Sequence, residues 1–153
     1  MMKFWIRLLA ALFLSAAVAG CGGSSNALPT EDRVAEMNLE QVADMLREYQ
    51  MNHGGPPKTL KQLRANPGGS LGGFELVDSG DIIVNLGAKL PDTQETPGAS
   101  PDEEILAYGK DVPTQGGPVL LLNRTIRTMT PEEFKAAPQA KGSAQAKSDP
   151  KSK

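Results

Sequence analysis

The sequence predicts an α+β fold, on three observations. Apolar residues recur at helical spacing between Val34 and Tyr49, short runs rich in β-branched and aliphatic residues follow Phe74, and helical patterns come first with strand patterns after them. The expected order is a long N-terminal amphipathic helix, a short second helix, a small antiparallel sheet of about four strands and a short C-terminal helix.

Thr30 can cap the first helix, with Glu31 and Asp32 in its first turn where carboxylates complement the helix dipole. Val34, Met37, Val42, Met45, Leu46 and Tyr49 then fall on one side, and Glu36, Glu40, Asp44, Arg47 and Glu48 on the other. Asn52-His53-Gly54-Gly55-Pro56-Pro57 ends it, because glycine allows a left-handed C-cap and proline forbids continuation. Thr59-Leu60-Lys61-Gln62 has capping-box spacing, so a short helix around Leu60 to Arg64 is expected to bury Leu60 and Leu63 before Asn66-Pro67-Gly68-Gly69 stops it.

Gly68 to Gly73 reads as a flexible connector. Phe74-Glu75-Leu76-Val77 and Asp81 to Leu86 read as strands joined through Asp78-Ser79-Gly80, a turn signal. Lys89 to Asp102 has three prolines and no apolar periodicity and is expected to be an exposed loop. Ile105 to Tyr108 reads as a further strand. Val119 to Leu122 and Thr125 to Met129 read as a hairpin about Asn123-Arg124, with one face wet. Thr130-Pro131-Glu132-Glu133 combines an N-cap, proline at the first helical position and a capping-box glutamate, which opens a short helix through Phe134 to Ala137.

The ends have a different composition. Met1-Met2-Lys3 with Arg7 is a cationic start, and Leu8 to Ala19 is twelve residues of Leu, Ala, Phe, Val and one Ser. At about 1.5 Å per residue this run covers roughly 18 Å, short of the roughly 30 Å bilayer core, so it reads as a signal peptide over residues 1–20. Residues 21–29 are small and polar, a tether; residues 30–137 form the expected domain; residues 138–153, rich in Lys, Ala, Ser and Gln without large apolar side chains, are expected to be disordered. Removing residues 1–20 leaves 14 basic and 18 acidic residues, and with four lysines and one aspartate in Gln139 to Lys153 the part between stands at −7. Such an acidic body is a poor match for phosphate, so no nucleic-acid partner is expected.

Val18-Ala19-Gly20-Cys21 at the end of the apolar run resembles the lipobox of bacterial lipoproteins. The resemblance implies cleavage between Gly20 and Cys21, a diacylglycerol on the Cys21 thiol and an acylated new amino terminus, hence a membrane partner through lipid. By the sorting pattern of such proteins, Gly22 in place of Asp favours the outer membrane in a Gram-negative host, with the domain facing the periplasm. The alternative is an ordinary secretory signal with an incidental cysteine. Cys21 is the only cysteine, which excludes an internal disulfide.

Leu46 to Leu63, with Tyr49, Asn52-His53-Gly54-Gly55, Pro56-Pro57 and Leu60, also resembles the region of type II secretion pseudopilins where the long helix turns into a second one. Ile105 to Tyr108, Gly116 to Asn123 and Met129 to Phe134 are similar to the closing strands and tail of pseudopilin-like proteins of unknown function. The chain departs from that family at its start, where a lipobox stands in place of a Gly-Phe-type cleavage site and a hydrophobic stem. The resemblance therefore implies a pilin-like domain on a lipid anchor and does not imply polymerisation.

No catalytic set is apparent. His53 is the only histidine, which rules out a two-histidine metal site and leaves a C-terminal helix residue or a general base. Asp78 with Asp81, or Asp102-Glu103-Glu104, are the carboxylates able to do acid and base work or to bind calcium, and turn or loop chemistry explains both sets. The Gly68-Gly73 run has a helix before it and a strand expected after it, the reverse of a phosphate loop. The expected function is a non-enzymatic, membrane-anchored structural or protein-interaction role in the cell envelope with an envelope protein as partner and no cofactor or metal. The alternative is a small-ligand or cation-binding envelope module.

Overall fold

The structure, a computed structural model, describes residues 28–91 and 93–144. The signal peptide, Gly20, Cys21, Gly22 and most of the tether lie outside the described residues, as does the lysine-rich end from residue 145. The fold is α+β, in the order α1 (Glu31–His53), α2 (Leu60–Ala65), α3 (Leu71–Asp78), β1 (Ile82–Leu86), β2 (Ile105–Gly109), α4 (Val112–Gln115), β3 (Gly117–Leu121), β4 (Ile126–Met129), α5 (Pro131–Ala136) and β5 (Ser143–Ala144). The strands form an antiparallel sheet in the spatial order β4-β3-β2-β1-β5.

Helix α1 begins and ends where its capping residues place it. The Thr30 hydroxyl accepts from the Arg33 N–H, and Gly54 takes the left-handed conformation at φ 70°. Its buried side is Leu39, Val42, Ala43, Met45, Leu46, Tyr49 and Gln50. Val34 and Met37, which share the apolar stripe in sequence, are each 42% exposed. Burial starts only at Leu39, so the first two turns extend past the part of the helix that the domain covers.

The stretch from Phe74 to Val77 is helix α3, not a strand. Ser70 caps it by accepting from the Gly73 N–H, and Gly72 and Gly73 belong to its first turn. A β-carbon on Gly73 would stand 2.7 Å from the Gln41 carbonyl oxygen, and one on Gly72 would collide with the Gln41 side chain. The glycines therefore serve close helix contact, which outweighs their weak helix propensity. Just before them the Glu48 carboxylate accepts from the Gly69 N–H at 2.6 Å, which fastens the connector to α1.

Helices cover both faces of the sheet. One core joins Leu39, Val42, Met45, Leu46 and Tyr49 of α1 to Leu63 of α2, Val77 of α3 and Val84, Leu106 and Leu120 of the strands. The other joins Ile105, Val119, Leu121 and Met129 to Val112 of α4 and Phe134 of α5. Each large side chain sealed this way contributes about 1.5–3 kcal/mol. The expected wet face of the hairpin is not formed: α4 and α5 cover one side of β3 and α1 the other, while in the edge strand β4 the consecutive Arg127 and Thr128, on opposite faces, are exposed. Tyr108 meets Phe134 edge to face at 4.7 Å, and burial pushes its phenol pKa up.

The β3–β4 turn dispenses with glycine. Arg124 takes φ 64° while the buried Asn123 side chain accepts from both the N–H and the hydroxyl of Thr125. The domain also runs past Ala137. Pro138 accepts from the Ile105 N–H at 2.8 Å, the Ala140 N–H donates to the Ile105 carbonyl at 3.0 Å, and Ala140 is buried. Ser143 and Ala144 then pair with Leu86 and Asn85. A segment without large apolar side chains is held because it is small: a β-carbon on Gly142 would collide with the Leu86 carbonyl oxygen.

Candidate functional site

A concave surface lies where the uncovered end of α1 meets the end of α3. Because α3 approaches α1 with Gly72 and Gly73 beside Gln41, its last turn comes to lie beside Asn38. A groove of about 440 Å³ runs between the helices, walled by Asn38 and Gln41 on one side and by Gly72, Glu75 and Ser79 on the other. Asn38, Leu76 and Asp81 are shared with a narrower pit of about 130 Å³ that continues inward. Leu39, Ile82, Val112 and Pro118 make its interior, with Ala35 and Gly109 at its sides.

Asp81 is the charged group at the junction. Its carboxylate accepts from Lys110 Nζ at 2.7 Å and from the Ser79 hydroxyl at 2.9 Å. The Lys110 bond, then the Ser79 bond, hold the Asp81 pKa below its ordinary value, while Asp81 raises that of Lys110. Both groups are open to solvent, so the pair orients side chains more than it stabilises the fold. Glu75 lines the groove, and Val34 and Met37 in the first half of α1 and Leu71 on α3 are large exposed apolar side chains, Leu71 at 65% exposure. Leu28, just before α1, is also exposed, as is Met51 near the far end of α1.

The carboxylates singled out in sequence are not brought together. Asp78 is the last residue of α3 and pairs with Arg64 at 2.6 Å, while Asp81 pairs with Lys110. Asp102 accepts from the Ser100 hydroxyl at 2.7 Å, and Glu103 pairs with Arg127 at 3.4 Å. One Glu104 carboxylate oxygen is buried with no hydrogen-bond partner. Among the described residues no group of three or more His, Cys, Asp and Glu side chains could hold a metal ion.

His53 stacks on Tyr49 with ring centroids 4.2 Å apart, and its Nδ1 donates to the Tyr49 carbonyl at 2.9 Å. It thereby adds a side-chain donor to a carbonyl in the closing turns of α1. The groove was missed in sequence because Phe74 to Val77 read as a strand, which removed one of its walls. The signal for it lay in Ser70, a capping residue three positions before the Gly73 whose N–H it accepts.

Among the described residues no helix is long and apolar enough to cross a membrane. No family model matches the chain, and neither a curated protein nor a solved structure does.

Proposed function

We propose that the protein is a lipid-anchored bacterial envelope protein, held on a membrane through Cys21, whose domain has a non-catalytic structural or protein-interaction role. The observation that carries this reading is Val18-Ala19-Gly20-Cys21 at the end of a short apolar run behind Lys3 and Arg7. Several acyl chains at about 0.8 kcal/mol per buried methylene would make attachment nearly permanent. Gly22 to Pro29 then separates the lipid from α1, so the helix starts clear of the surface. In a Gram-negative host Gly22 would favour the outer membrane, with the domain in the periplasm.

The proposed lipid and a pilin-like assembly helix would compete for one terminus. We therefore read the pseudopilin resemblance as one of domain shape on an anchored protein. The anchor is tested by feeding cells labelled palmitate: the wild-type chain takes up label, and Cys21→Ser does not. Label in both proteins, or in neither, refutes it. The interaction role is tested by cross-linking in intact cells, with a reproducible envelope partner expected and a chain that never leaves the monomer band counting against it.

A further inference from the structure

We infer that the groove between α1 and α3 is a docking site for a helical segment of a partner protein, one that carries an aliphatic or aromatic anchor side chain flanked by Lys or Arg. The inner pit, at about 130 Å³, has room for one such side chain. The pit alone falls short of the roughly 300 Å³ and more that small-molecule sites occupy, and the groove, although larger, is too open to enclose a small molecule. The groove above it is open and follows α3 for about two turns, from Gly72 to Ser79, a shape that can receive a helix through a single anchor.

Burial and charge choose the occupant. Val34 and Met37 belong to the apolar stripe of α1 and stay 42% exposed, and Leu71 on α3 is more exposed still. These side chains are chain neighbours of Ala35, Asn38 and Gly72, which line the pit and groove, and give a partner further apolar surface. Among the described residues, Glu75 and Asp81 are the only titratable ones lining the groove and pit, and no Lys or Arg does. Lys110 already answers Asp81, so Glu75 is the carboxylate left for a partner's cation. Glu31 and Asp32 in the first turn of α1, and the net acidity of the chain between tether and tail, favour the same sign. An acidic partner would meet repulsion here, as would an anionic lipid surface.

This inference rests on reading the domain as an interaction module and is independent of the anchor. The probes are two fluorescent helical peptides of about five turns, identical in a Leu-bearing face and differing only in Lys or Glu beside it. They are titrated into the purified full-length chain in a zwitterionic detergent, whether or not Cys21 carries lipid. The Lys peptide is expected to bind at least about tenfold more tightly than the Glu peptide, and Glu75→Lys to cost most of that difference. Asn38→Trp, which fills the mouth of the pit, is expected to abolish binding. Equal affinity for the two peptides, binding that survives Asn38→Trp, or binding only after residues 145–153 are deleted would each overturn the inference. The last result would mean that the chain's own lysines fill the groove.

Discussion

Gly73 lies so close to Gln41 that a β-carbon on the glycine would stand 2.7 Å from the Gln41 carbonyl oxygen. That contact sets how deeply α3 seats against α1 and therefore the wall of the groove. Gly73→Ala is expected to lower stability by about 1–3 kcal/mol through overpacking. Gly55→Ala, where a β-carbon meets open space, is the control and should change little. Urea denaturation of both variants checks the difference, and equal midpoints would show that the helix contact is slack.

Gln50 makes a closed pair with Leu90. Its Nε2 donates to the Leu90 carbonyl at 2.7 Å, its Oε1 accepts from the Leu90 N–H at 2.9 Å, and the side chain is buried. Gln50→Ala leaves both backbone groups without their partner and should cost about 1–3 kcal/mol. The chemical-denaturation midpoint reads this, and an unchanged midpoint would mean that water replaces the amide.

The C-terminal segment divides sharply. Ending the chain after Ala137 removes both bonds to the Ile105 backbone and one partner of the Asn85 amide, which also donates to the Ile105 carbonyl at 2.7 Å. A loss of about 2 kcal/mol or more is expected at roughly 1 kcal/mol for each bond. Ending it after Ala144 should leave the melting temperature within a degree or so, since residues 145–153 carry no large apolar side chain to bury. Thermal melts of the two truncations test this, and equal melting would mean that the segment only lies on the surface.

Much of the architecture was legible because it is written in local chemistry. Thr30, Thr59 and Thr130 cap α1, α2 and α5 as expected, and Thr130 with Glu133 forms the full capping box. The strands from Ile82 to Leu86, from Ile105 and from Ile126 follow their β-branched and aliphatic runs. Helix α3 was illegible because Phe-Glu-Leu-Val fits a strand as well as a helix turn, and packing against α1 decided the matter. Helix α4 is one turn long, marked only by Pro113 near its start. The strand at Ser143 was hidden because close backbone approach favours the small residues that otherwise suggest disorder. The proposal for Cys21 rests on sequence alone, outside the described residues, and the groove required the fold.

Acid should weaken the fold through two exposed carboxylates. The Glu133 pKa is lowered by the Thr130 N–H and hydroxyl, and the Asp81 pKa by Lys110 and Ser79. A carboxylate with a folded pKa below its unfolded one stabilises above the unfolded value, and that contribution is lost as pH falls through the folded one. Melting temperature is therefore expected to fall below the ordinary carboxylate values of 4.5 and 3.8, and to fall less in Glu133→Gln with Asp81→Asn. An identical acid profile in the double variant would contradict these assignments.

The proposed anchor on Cys21 carries the functional account, and the mass of the mature amino-terminal peptide tests it most directly. After purification from membranes and proteolysis, mass spectrometry should find a peptide that begins at Cys21 and carries a diacylglycerol and an amino-terminal acyl chain. A peptide that begins elsewhere, or at Cys21 with a free thiol, would contradict it.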